Sequence, residues 1–69
     1  MKKGETWICK KQHSGSGVNK GMKVEIARIS KTTDLIYFWR FYTTGEIEKY
    51  GEPFYEFRDF FLECFEKQY

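Results

Sequence analysis

Residues 35–43 read Leu-Ile-Tyr-Phe-Trp-Arg-Phe-Tyr-Thr, and this run constrains the fold more than any other part of the chain. β-Branched and aromatic side chains lose rotamer freedom on a helix and fit the pleated surface of a strand. The alternation of a strand sends Tyr37, Trp39 and Phe41 to one side and Ile36, Phe38, Arg40 and Tyr42 to the other. Both sides are bulky, so both require cover.

Three further strands are expected around it. Residues 5–11 place Trp7 and Cys9 on one face. Residues 22–30 alternate, with Met22, Val24, Ile26 and Arg28 facing one way and Lys23, Glu25, Ala27 and Ile29 the other. After a turn at Thr44-Gly45, residues 46–50 form a short outer strand whose charges discourage edge-to-edge pairing. Between the first two strands, residues 12–21 hold three Gly, two Ser and an Asn and predict a mobile loop. Residues 1–4 form a flexible basic lead.

From Phe54 the period changes. Large apolar residues at 54, 57, 61, 64 and 65 trace one face of a helix, and Glu56, Asp59, Glu63 and Glu66 hold the other. Pro53 suits a first helical turn, where its missing N–H is not needed. An amphipathic C-terminal helix is therefore expected over 53–67. Together the elements predict a single α+β domain over 1–69, an antiparallel four-stranded meander or small barrel with one C-terminal helix. The expected core is Val24, Ile26, Phe38, Phe57, Phe61 and Phe65.

A chain of 69 residues buries only about 60% of the surface its unfolded form exposes. Five Tyr, seven Phe and two Trp compensate, because each ring buries roughly 150–250 Å². Cys9 and Cys64 are the only cysteines, too few for the disulfide framework usual in small secreted domains, and are expected as reduced, half-buried thiols. No apolar run reaches the ~18 residues of a membrane span, and the N-terminus lacks the apolar stretch of a signal peptide, so a cytoplasmic location is expected.

Catalytic groups are scarce. His13, the only histidine, falls in the glycine-serine loop beside Ser14 and Ser16, where it is expected to be solvent-exposed and unable to hold a fixed angle to either hydroxyl. One His and two distant Cys lack the paired spacing of a zinc site. The segment 15–21 fails the phosphate-binding pattern, since Lys20 stands where the second Gly is required. The acidic helix face should be wet, which leaves its carboxylates unsuited to acid–base work. No enzyme activity, cofactor, metal or small-molecule substrate is expected.

Gly4-Glu5-Thr6-Trp7, Gly21-Met22-Lys23-Val24-Glu25-Ile26, Leu35-Ile36-Tyr37-Phe38 and the closing Phe57, Phe61 and Phe65 resemble small SH3-like β-barrels common among short bacterial and phage proteins. The resemblance covers most of the chain through residue classes, and it implies a barrel with an aromatic-rich helix plugging one end. It also implies a phage-type accessory or inhibitor protein that acts on a host protein.

Two partner classes remain open. A protein partner or a second copy of the chain would meet Tyr37, Trp39, Arg40 and Phe41, since exposed rings with an arginine have the composition of a binding hot spot. The acidic helix could also imitate a nucleic-acid backbone toward a DNA-binding partner. The alternative is a nucleic-acid-binding barrel using Trp7, Lys10, Lys11, Lys20, Lys23 and Arg28. Residues 1–34 carry eight cations against three anions, and residues 35–69 four against seven. The overall charge of +2 and pI near 8.6 fall short of a typical basic nucleic-acid domain.

Overall fold

Alternation in two adjacent strands sets the architecture. A computed structural model describes residues 1–42 and 44–68. In it β1 (Thr6–Cys9), β2 (Lys23–Ile29) and β3 (Leu35–Phe41) run antiparallel, with Ile26 opposite Phe38 and Val24 opposite Arg40. The short β4 (Ile47–Glu48) pairs with the end of β3, after a turn in which Gly45 takes a left-handed φ of 93° that a Cβ would strain. The Thr43 end of the expected third strand lies outside the described residues, as does Tyr69.

The C-terminal third differs from the expected long helix. Residues Phe54–Phe57 form strand β5, only Arg58–Cys64 form the helix α1, and Phe65–Lys67 form strand β6. The physical reason lies in β3. Its far edge is free over Leu35–Phe38, and Phe-Tyr-Glu-Phe satisfies that edge in register, Phe54 opposite Phe38 and Phe57 opposite Leu35. β6 likewise pairs with β1, Phe65 opposite Cys9. Ladder pairing overrides a spacing that strand, helix and strand residues imitate jointly. Pro53 accordingly precedes a strand, a position that also tolerates a missing N–H.

The result is a six-stranded antiparallel sheet in the order β4-β3-β2-β1-β6, with β5 beside β4 on β3, and one short helix. It does not close into a barrel: among the described residues no pairing joins β6 to the β4/β5 margin. Within those residues, no helix is long and apolar enough to cross a membrane.

The core lies between the inner sheet face, α1 and the 12–21 segment. Val24, Ile26, Phe38, Phe61 and Phe65 are buried together as expected, joined by Trp7, Cys9, Val18, Ile36 and Cys64. Phe61 stacks on Phe65 at 4.5 Å between ring centroids, and Phe38 lies 5.5 Å from each. Phe57 departs from the expectation. It sits at the N-terminal boundary of α1 on the outer sheet face and is 63% exposed. Cys9 and Cys64 are free thiols, buried rather than half-buried. Desolvation pushes the Cys64 thiol above its ordinary pKa, with the neighbouring Cys9 adding to the effect.

β2 contains an irregularity that matters for the surface. The register shifts between Ile26 and Arg28, so Ala27 is bulged and Arg28 comes opposite Tyr37. Arg28 therefore leaves the face expected from simple alternation with Val24 and Ile26. Ile29 takes the inner position instead and packs against the core.

Candidate binding site

The outer face of the sheet carries an open groove of about 890 Å³. Its floor is Ala27, Leu35, Tyr37, Trp39 and Tyr55, contributed by β2, β3 and β5. Lys3, Arg28, Lys49, Glu52 and Pro53 form the walls. Strand alternation makes the floor aromatic, because the inner partners Ile36 and Phe38 are spent on the core. Tyr37 and Tyr55 meet across β3 and β5 with ring centroids 5.8 Å apart. The bulge at Ala27 lays the Arg28 guanidinium over the Tyr37 ring, 4.1 Å from its centroid. Lys49 bridges to Glu25 at 3.2 Å and fastens the β4–β5 connection to β2.

Of the four residues expected to meet a protein partner, Tyr37 and Trp39 line this groove. Phe41 continues the same face into a smaller hollow of about 380 Å³ with Met22, Lys23 and Tyr42. Arg40 is not with them. It points inward, where Nε bonds Glu48 at 2.8 Å and a guanidinium N–H donates to the Ser16 carbonyl at 3.0 Å. The bond to Glu48 raises its pKa further, so it stays charged.

The residues considered for nucleic acid are dispersed. Trp7 is only 8% exposed and packs against Phe61 at 5.4 Å, so its ring has no free face for a base. Its indole N–H donates to Glu5. Lys10, Lys11 and Lys20 are exposed around the β1–β2 connection, Lys23 lines the smaller hollow, and Arg28 alone reaches the aromatic groove.

His13 requires a correction. The residue expected on the surface is 2% exposed, and Ser16 is 3% exposed. The Ser16 N–H donates to His13 Nδ1 at 3.2 Å, and Ser16 Oγ lies 2.7 Å from the same nitrogen. Nδ1 is thus an acceptor and Nε2 carries the proton, donated to Glu56 Oε2 at 2.7 Å. The ring also stands edge-on to Phe38 at 5.8 Å. A backbone bond from His13 to the Val18 carbonyl and the buried Val18 side chain complete the packing of the 12–21 segment. Glu56 links this segment to β5. The sequence carried two signals of it: a His and a Ser three apart within a turn, and one carboxylate set among aromatic residues in β5.

Serine, histidine and carboxylate in a hydrogen-bonded row also describe a hydrolase centre. Here the Ser16 hydroxyl is buried, and the nitrogen it faces also accepts the same residue's backbone N–H. Among the described residues no cluster of three or more His, Cys, Asp or Glu side chains is arranged to hold a metal ion.

Compared with known proteins, the chain matches no family model, no curated protein and no solved structure.

Proposed function

We propose that this chain is a non-enzymatic protein-binding module whose partner docks on the outer sheet face. The single observation that carries this reading is the groove floored by Tyr37, Trp39 and Tyr55 with Arg28 at its wall. Tyr, Trp and Arg are the residues most enriched at the energetic centres of protein interfaces. An open apolar groove of this kind is costly to leave facing water and gains from association. The Ser16–His13–Glu56 row acts as a buried latch between the 12–21 segment and β5, with no open approach to the serine. The residue-class resemblance of the sequence supports an accessory or inhibitor role of the phage type, directed at a host protein, although the sheet itself does not close into a barrel.

The nucleic-acid reading is weaker because Trp7 is spent on the core and Lys10, Lys11, Lys20 and Lys23 do not converge on the aromatic groove, whose Tyr37 and Trp39 rings are half-buried. Capture of partners by the immobilised chain, with and without nuclease, separates the two. The proposal expects a protein that is retained after nuclease treatment and lost from Trp39→Ala. Retention that disappears with nuclease, or that ignores Trp39, overturns it.

A further inference from the structure

We infer that the partner contributes an extended segment that adds to the sheet along the free edge of β5, with a carboxylate two positions from an apolar side chain that lies in the aromatic groove. This inference rests on the protein-binding reading above and specifies the form of the ligand.

β5 pairs with β3 on one edge only, and among the described residues no strand lies on its other side. The direction of its backbone groups follows from three bonds. Ser30 N–H donates to the Leu35 carbonyl, so Leu35 turns its peptide groups toward β2 and away from β5. Phe57, opposite Leu35, directs its N–H to the carboxylate of its own neighbour Glu56 at 2.7 Å. Arg58 N–H, one residue on, turns back to the Asp34 carbonyl. Residues of an antiparallel strand alternate between facing the partner strand and facing away. Tyr55, two before Phe57 and opposite Tyr37, therefore presents its N–H and C=O to the open edge. Glu56 caps the edge at Phe57 and leaves it open at Tyr55.

The two sides of this edge are both hollow. The aromatic groove lies on the outer side, and a hollow of about 340 Å³ lined by His13, Gly15, Phe54 and Glu56 lies on the inner side. Pro53 and Tyr55 border both. An added strand sends successive side chains to opposite faces, and strand addition gains specificity from pockets for alternate residues. Two hollows astride one unpaired edge provide that arrangement.

Charge selects the side chains on the groove side. Lys49 is already paired with Glu25, whereas Lys3, Arg28 and Glu52 have no ion-pair partner among the described residues, which leaves the walls one positive charge in excess. Tyr37, Trp39 and Tyr55 offer the apolar floor. A segment with one carboxylate two positions from an apolar residue fits this surface.

The test uses random decapeptides displayed against the intact chain, followed by titration of the best binder into ¹⁵N-labelled protein. The inference expects alternating sequences with a carboxylate two positions from an apolar residue. It also expects at least tenfold slower exchange of the Tyr55 amide on binding, and at least tenfold weaker binding when alternate peptide nitrogens are methylated. Tyr55→Pro, which removes the outward N–H without removing a bond to β3, should bind at least tenfold more weakly than Tyr55→Ala. A peptide that depends on Trp39 but tolerates N-methylation and leaves Tyr55 unprotected overturns strand addition and leaves the protein-binding reading standing. Failure of every peptide, with oligonucleotide binding that depends on Trp39, overturns both.

Discussion

Arg28 lies over Tyr37 with its guanidinium carbon 4.1 Å from the ring centroid, a contact that exists because Ala27 is bulged out of the β2–β3 register. Without the bulge, alternation would turn Arg28 to the inner side, among the rings of the core. One extra residue thus sets Arg28 on the wall of the aromatic groove and keeps Ile29 on the core side. Cation–π contacts at exposed sites contribute about 0.5–1 kcal/mol. Arg28→Ala should therefore shift the melting temperature by only a few degrees while reducing partner affinity. Calorimetry beside a binding titration checks this; a collapse of the fold would show that the bulge depends on Arg28.

Phe61 and Phe57 are four residues apart in sequence and opposite in environment, the first fully buried and the second mostly exposed. Phe61→Ala should cost about 3–5 kcal/mol, as large-to-small changes of buried rings do. Phe57→Ala should cost under about 1 kcal/mol, in the range of surface substitutions. Equal losses in denaturant unfolding would contradict the strand–helix boundary at Phe57.

His13→Ala leaves Ser16 Oγ and Glu56 without their buried partner, a change that typically costs about 1–3 kcal/mol. Because the His13 and Val18 backbones are bonded, the effect should be local first. Amide exchange should accelerate across residues 13–18 before it does in β2 or β3. Uniform acceleration across the sheet would mean that the latch supports the whole domain rather than the segment it holds.

Glu5 accepts the Lys2 backbone N–H, pairs with Lys67 and accepts the Trp7 indole N–H, and these contacts lower its pKa from 4.5 to about 2. A carboxylate depressed in the folded state stabilises it fully above the unfolded pKa. That contribution is lost as the pH falls from about 4.5 toward about 2. Glu5→Gln should flatten the stability profile across this window and leave the slope above it unchanged. An identical acid profile for both proteins would contradict the role of Glu5.

Much of the sheet was legible because period two is a strong signal where one face is dry. The faces of Trp7 and Cys9, of Val24 and Ile26, and of Ile36 and Phe38 all follow from alternation. Three features were not legible, each for a different reason. The bulge at Ala27 is a property of pairing with β3 and leaves no mark on composition. The helical spacing from Phe54 to Phe65 is a coincidence of two strands and a seven-residue helix, resolved by the free edges of β3 and β1. The burial of His13 depends on Glu56, which lies 43 residues away and supplies the partner that makes a buried imidazole tolerable. Arg40 lies on the Phe38 side, where alternation places it, bonded to Glu48 and the Ser16 carbonyl, and Tyr37 and Trp39 are left to Arg28.

The central claim is that the Trp39 face exists for a protein partner rather than for the stability of the monomer. The most direct measurement pairs thermal melting of Trp39→Ala with titration against the nuclease-resistant partner retained by the native chain. The account predicts a melting temperature lowered by less than about 8 °C, the scale of a 1 kcal/mol loss in a domain this small, with affinity reduced at least tenfold. A large fall in melting temperature with affinity unchanged would contradict it, and would place Trp39 in the structural core.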